Sequence, residues 1–253
     1  MKLALIQYSP LWEDKEANMS KIDKMLESID GDEDMLVFPE MTLTGFTMES
    51  KKFAEDIDGP SVRYFMEMAR IRKTNVFAGI IEEFDGLIYN TLFHFDSFGL
   101  IKARYRKVHP FSMSTEDEHF AAGEEIVVTK IDQTRIGLTI CYDLRFPELY
   151  RKYTKDGVDI IINTANWPVT RVDHWKTLLK ARAIENQCFI VGVNRVGDDP
   201  KLNYSGCSGI YDPLGKEIVM VEQDEIVIKV EIDISKVKET RENLPFLKDM
   251  KMI

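Results

Sequence analysis

Cysteine, histidine and basic charge are all scarce in this 253-residue chain, and each scarcity removes a class of function. Three cysteines, an odd number without framework spacing, do not make a disulfide scaffold and suit a reducing compartment. The four histidines include no His-Glu-x-x-His, and no Cys-x-x-Cys pair occurs, so a metal centre is not expected. Lysine and arginine number 33 against 43 acidic residues, a formal charge of −10, and no basic run offers a nucleic-acid footprint. The first apolar stretch, Leu3 to Ile6, is too short for a signal peptide or a membrane span. A soluble, cytoplasmic protein without nucleic-acid or membrane partners is expected.

What the chain does have is length enough for one large α/β domain, with no linker that argues for two. Apolar runs of strand length alternate with helical periods. Leu3–Tyr8 reads as a strand, and Met19, Ile22, Leu26 and Ile29 repeat at the spacing of an amphipathic helix that Gly31 closes. Asp85-Gly86 marks a hairpin between the strands Asn75–Glu82 and Leu87–Asp96. Further strands are read at Asp159–Asn163, from Cys188, and at 208–211, 217–221 and 226–232. Ser205-Gly206-Cys207-Ser208-Gly209 has the spacing of neither a phosphate loop nor a nucleophile elbow. These patterns imply a layered α/β protein with mixed sheets but not its topology.

Three strand ends carry reactive groups. The run Arg135–Ile140 ends on the thiol of Cys141, Met35–Pro39 ends on the carboxylate of Glu40, and Ala103–Arg106 ends on the ammonium of Lys107 before Pro110 stops the pairing. A charge at a strand end is costly without a partner, and a side chain there points into the crevice above a sheet. Cys141 read alone also fits a buried small hydrophobe, the usual fate of free cysteine. Cys188 and Cys207 are read as structural.

The blocks Phe38-Pro39-Glu40, Arg106-Lys107-Val108-His109 and Cys141-Tyr142-Asp143-Leu144-Arg145-Phe146-Pro147-Glu148, followed by Asn163-Thr-Ala-Asn166-Trp167-Pro168, resemble the signature blocks of the nitrilase, or carbon-nitrogen hydrolase, superfamily. The resemblance spans nearly the whole chain. Pro39-Glu40-Met41 leading to Thr44-Gly45-Phe46-Thr47-Met48 is similar to the bacterial omega-amidase branch, whose members hydrolyse the terminal amide of 2-oxo-dicarboxylic acid monoamides. It implies a four-layer α-β-β-α sandwich of two mixed six-stranded sheets, forming one domain over residues 1–253 that pairs as a homodimer. Residues 234–253, charged but studded with Leu244, Phe246, Leu247, Met250 and Met252, would be an arm on the partner, or alternatively folded on their own chain. The resemblance also implies a second supporting glutamate in the 111–123 loop, with Glu116 matching better than Glu118.

The expected chemistry follows from the residue types. A thiol is mostly protonated at neutral pH and needs a base, which Glu40 can supply. Lys107, with the backbone N–H of Tyr142, can hold the oxyanion. No metal or organic cofactor is required. Asn166 and Trp167 emerge at the crevice as pocket residues, with a packing role open for Trp167, and Arg145, Arg171 or Arg195 can meet a substrate carboxylate. Arg145 alternatively pairs with Glu148. Rival readings are a cysteine–histidine hydrolase using His109, another amidase, N-carbamoyl hydrolase or nitrilase, a deaminated-glutathione amidase, and a catalytically silent binding subunit.

Overall fold

In the computed structural model, described for residues 1–29 and 31–251, thirteen strands form two sheets faced by helices on their outer sides. In chain order the strands are β1 (Lys2–Gln7), β2 (Met35–Val37), β3 (Asn75–Phe84), β4 (Leu87–Phe95) and β5 (Ile101–Arg106). There follow β6 (Val128–Ile131), β7 (Thr134–Ile140), β8 (Ile160–Ala165), β9 (Phe189–Asn194), β10 (Val196–Asp198), β11 (Asn203–Tyr211), β12 (Glu217–Glu222) and β13 (Ile226–Glu231). The first sheet runs β13-β1-β2-β3-β4-β5; the second runs β10-β11-β9-β8-β7-β6, with β12 also on β11. β1, β2 and β3 are mutually parallel, as are β7, β8 and β9, and the outer pairings are antiparallel.

The layers follow from which faces are apolar. Leu3, Leu5, Val37, Phe77 and Leu92 from the first sheet meet Ile136, Leu138, Ile162 and Val191 from the second in one core between the sheets. The opposite face of the first sheet packs on helices Lys15–Leu26 and Pro60–Arg72, through Ile22, Leu26, Phe65 and Ala69. The opposite face of the second packs on helices Pro147–Lys155 and Val172–Asn186, through Tyr150, Tyr153, Trp175 and Leu179. Strands covered on both faces are buried along their length, so β8 shows no alternation of apolar and polar positions. Proline opens two of these helices, where its missing N–H leaves no bond unmade.

The expected four-layer sandwich is present, but the second sheet has seven strands rather than six. The reason lies in β11, which is long enough to take two strands along one edge, while its ladder to β12 shifts register between Gly206 and Ser208. One end pairs with β10, the other with β9, and the opposite edge with β12. The 111–123 segment, read as loop, contains a 3-10 turn Ser112–Ser114 and a helical turn Glu116–His119.

Within the C-terminal segment, a helix at Ser235–Asn243 sends Val237 into the core between the sheets. Arg241 donates to Val158 O (2.7 Å) and Gln187 to Leu244 O (2.7 Å), while Leu244 and Phe246 stay exposed. Met252 lies outside the described residues. No helix among the described residues is long and apolar enough to cross a membrane.

His94 joins the two sheets. It is fully buried on β4, its Nδ1 lies 2.7 Å from Thr129 Oγ1 of β6 and its Nε2 3.0 Å from Asn75 Oδ1, and its ring stacks on Phe77 at 4.3 Å. Burial pushes its pKa down to about 4. The unfolded chain then binds this proton more readily than the native state, so the contribution is complete above pH ~6.5 and is lost as pH falls toward 4. We predict an acid-linked loss of up to about 3 kcal/mol in that window. Urea unfolding of wild type and His94→Gln between pH 7 and 4 checks this, and parallel pH profiles for the two would contradict it.

Candidate active site

Glu40 lies just past the end of β2, and the ladder to β3 continues beyond it through Phe38 N to Phe77 O (2.9 Å) and Thr42 N to Gly79 O (2.8 Å). Gly79 makes this close approach possible, since a Cβ there would lie 2.5 Å from the Met41 nitrogen. Met41 follows with φ at 44°, a left-handed conformation that costs a non-glycine residue about 1–3 kcal/mol. The turned chain directs the Glu40 carboxylate inward. Its Oε1 accepts from Lys107 Nζ (2.9 Å) and Asn90 Nδ2 (2.8 Å), and its Oε2 from the Asn166 backbone N–H (2.9 Å) and Nδ2 (3.3 Å).

Lys107 follows β5 directly. Its Nζ donates to Glu116 Oε1 and Oε2 at 3.0 and 2.8 Å as well as to Glu40, and Asn90 Nδ2 reaches Glu116 Oε1 at 2.8 Å. The Phe111 N–H holds Glu116 Oε2 at 2.6 Å. Glu40, Lys107 and Glu116 are each at most 1% exposed, whereas Glu118 faces solvent. Burial alone would push the lysine down, but Glu116, Glu40 and Cys141 outweigh it and raise its pKa, so the ammonium is locked on. Glu116 is raised by burial and by Glu40 against the opposing pull of Lys107.

Cys141 is the first residue of a 3-10 turn, Cys141–Arg145, that begins where β7 ends. Its φ is 45°, a second left-handed non-glycine residue at this site. Burial raises its pKa well above the ordinary thiol value and Glu40 adds to the shift, while Lys107 and the Asn166 N–H act the other way. The resting thiol is therefore protonated. A nucleophile here needs a base at the moment of attack, and Glu40 is the carboxylate that acts most strongly on the sulfur.

Asp143, two residues on, is fully buried and accepts four hydrogen bonds. They come from Tyr105 OH (2.7 Å) and Ile140 N (2.9 Å) on Oδ2, and from His109 N (3.1 Å) and Nδ1 (2.7 Å) on Oδ1. The His109 ring also stacks on Phe146 at 3.8 Å. That pairing occupies Nδ1 of His109.

Cys141 opens onto a cavity of about 240 Å³ whose walls include Phe46, Phe111, Tyr142, Asn166 and Trp167. Trp167 is both wall and packing: its Nε1 donates to Arg171 O (2.7 Å) and its ring lies 5.5 Å from Trp175. Arg145 sits over the Trp167 ring at 4.7 Å and Arg171 over Phe111 at 5.5 Å, both lining the cavity. Arg145 forms no ion pair with Glu148; its guanidinium lies 3.4 Å from His174 Nδ1. Among the described residues neither arginine has a carboxylate partner. Arg195 is fully buried, donating to the carbonyls of Val196 (3.2 Å) and Asp198 (2.8 Å), and is not a wall residue.

Cys141, Tyr142, Asn166, Trp167 and Arg145 thus line one crevice, and Glu40, Lys107 and Glu116 form a buried cluster joined to it through Asn166. Sequence reading missed Asn90, which ties the two glutamates together, and the Asp143 cluster. An asparagine inside the apolar run of β4 was the available signal, because a buried amide must find partners.

A four-layer sandwich that brings a thiol, two carboxylates and a trapped ammonium together beside one pocket has the parts of a cysteine hydrolase. The carbon-nitrogen hydrolase family model matches residues 2–242, and the chain belongs to that family. It is 33% identical to the 2-oxoglutaramate amidase of Bacillus subtilis, covering 98% of this chain and 97% of that protein. It is 36% identical to omega-amidase YafV of Yersinia enterocolitica, covering 98% and 96%. A CN-hydrolase superfamily protein of Xanthomonas campestris, solved with an arsenic adduct in its active site, superposes with a TM-score of 0.95 at 33% identity over 100% of this chain and 98% of that one.

Proposed function

We propose that this protein is an amidase that hydrolyses the terminal amide of small 2-oxo-dicarboxylic acid monoamides, such as 2-oxoglutaramate and 2-oxosuccinamate, to the acid and ammonia. The observation that carries the reading is the buried Lys107 ammonium caged by Glu40 and Glu116 next to Cys141, which itself lines a cavity with two arginines that have no carboxylate partner among the described residues. The amide carbon meets Cys141 and the distant carboxylate meets Arg145 and Arg171. The names of the full-length relatives support the same substrate class.

The chemistry runs in two halves. Cys141 Sγ bonds to the amide carbon as its proton passes to Glu40, so the negative charge leaves the carboxylate and reappears on the carbonyl oxygen. The oxyanion forms within reach of Lys107 and of the Tyr142 N–H, which lies in the first turn of its 3-10 helix and has no helical carbonyl to bond. Because the site already holds two carboxylates against one cation, moving charge in this way avoids adding a further anion. Glu40 then gives the proton to the departing nitrogen, the C–N bond breaks, and ammonia leaves a thioester on Cys141. Water, activated by the same carboxylate, attacks the thioester and frees the acid. Glu116 supports the cycle by fixing Lys107, and Asn166 by fixing Glu40.

We further propose that the enzyme acts in the cytoplasm as a homodimer, with the face of Ile184, Leu214, Leu244 and Phe246 covered by a second copy; all four are more than two-fifths exposed. A sedimentation mass of a single chain at micromolar concentration would contradict the dimer.

An ammonia-release screen over 2-oxoglutaramate, 2-oxosuccinamate, deaminated glutathione, simple neutral amides and nitriles tests the substrate reading. The two 2-oxo acid monoamides are expected to give the highest kcat/KM. Arg145→Met should raise KM for them roughly tenfold or more, the worth of a charged hydrogen bond, and leave neutral amides unaffected. Release from nitriles and from no amide would overturn the assignment.

A further inference from the structure

Lys107 and Cys141 come from different sheets, and the atoms they must bring together around one carbonyl carbon are set by two short loops. Among the described residues, no hydrogen bond runs from the Glu40–Lys107–Glu116 cage to the backbone of the Cys141 turn. Asp143 does bridge the two loops. Its donors Tyr105 and His109 stand two residues before and two residues after Lys107, and its other donor, Ile140 N, stands immediately before Cys141. The Tyr105 hydroxyl also accepts from the Val108 N–H at 3.3 Å, and the Asp143 carbonyl accepts from Phe146 N at 3.0 Å. One carboxylate thus brackets both the lysine segment and the thiol turn.

The strain at Cys141 gives this bracket something to hold. A non-glycine residue at φ 45° relaxes unless its neighbours over-determine it. The bond from Ile140 N to Asp143 Oδ2 closes the chain across Cys141 from one side to the other. It also turns the Tyr142 N–H with it. His109 is packed against Phe146 of the same turn, so ring and carboxylate grip the segment from two directions.

We propose that Asp143 is a positioning residue, with His109 and Tyr105 as its supports, that sets the placement of Lys107 relative to Cys141 and the Tyr142 N–H. His109 acts through its Nδ1–H on Asp143 and not on substrate. The proposal rests on the hydrolytic reading of the site but is independent of which amide is cleaved.

Asp143→Asn keeps the volume but turns an NH₂ group toward two of the four partners, so at least one backbone N–H, that of Ile140 or of His109, loses its acceptor. A misplacement of about 1 Å can lower a rate on the order of 100-fold, and the loss should appear in kcat with KM within about threefold. Tyr105→Phe should lower kcat less. His109→Asn keeps an N–H donor near the position of Nδ1 and should retain roughly ten times the kcat of His109→Leu. Each variant is assayed with 2-oxoglutaramate per mole of folded protein, with fold content from circular dichroism. In parallel, the rate of Cys141 alkylation by iodoacetamide, read by peptide mass, should fall about tenfold in Asp143→Asn and be restored in His109→Asn relative to His109→Leu.

The proposal is overturned if folded Asp143→Asn keeps kcat within twofold of wild type, or if His109→Asn is no better than His109→Leu. It is overturned equally if the losses track KM. Should Asp143→Asn not fold, the His109 pair and Tyr105→Phe decide the matter. If wild type releases no ammonia from 2-oxoglutaramate, the substrate reading fails while the alkylation rates still judge this proposal.

Discussion

The structure is organised around one buried ammonium held between two buried carboxylates. Burial at 1% exposure would by itself push Lys107 toward losing its proton, and burial likewise pushes the Glu116 carboxyl up. Together they satisfy one another, and Asn90 and Asn166 fill the remaining acceptor positions. Breaking such a set by removing one partner typically costs about 3–5 kcal/mol, because the others are left buried and unpaired. The cage therefore couples the fold to the site: β2, β4, β5 and the helical turn at Glu116 must all be in place before the charges balance.

Burial and the same cage together set the state of the thiol. Burial disfavours a standing thiolate most, and Glu40 and Glu116 add to this against the opposing pull of Lys107. In the proposed mechanism, reactivity is then conditional on a carbonyl arriving to take the charge that Glu40 gives up. The backbone is arranged to the same end, with left-handed residues at Met41 and Cys141 turning each reactive side chain inward from its strand end. Such conformations persist only where packing and hydrogen bonding over-determine them. Gly79 beneath Met41 and Asp143 beside Cys141 supply those constraints.

How much of this was legible in the chain depended on whether a signal was local. Strand ends carrying a thiol, a carboxylate and an ammonium are local patterns, and so is the Asp85-Gly86 hairpin, where Asp85 and Gly86 both take positive φ. Glu116 could be separated from Glu118 only by resemblance, since the helical turn that buries one and exposes the other is too short to show a period. The seventh strand of the second sheet rests on the three-residue β10 pairing with one end of β11, too short to show a period. Choosing among Arg145, Arg171 and Arg195 required knowing which backbone carbonyls come near, a tertiary fact. Asn90 and Asp143 were readable only as polar groups that would need partners, not as the partners of any particular residue.

Lys107→Met tests the central claim most directly, because methionine keeps the length and apolar stem of the side chain and removes only the cation. Single-turnover ammonia release from 2-oxoglutaramate would be measured on folded variant and wild type at neutral pH. Loss of an oxyanion-stabilising donor predicts a fall of at least about 100- to 1,000-fold. Turnover within tenfold of wild type by a folded Lys107→Met protein would show that the caged ammonium is a structural fixture and that the account of the site is wrong.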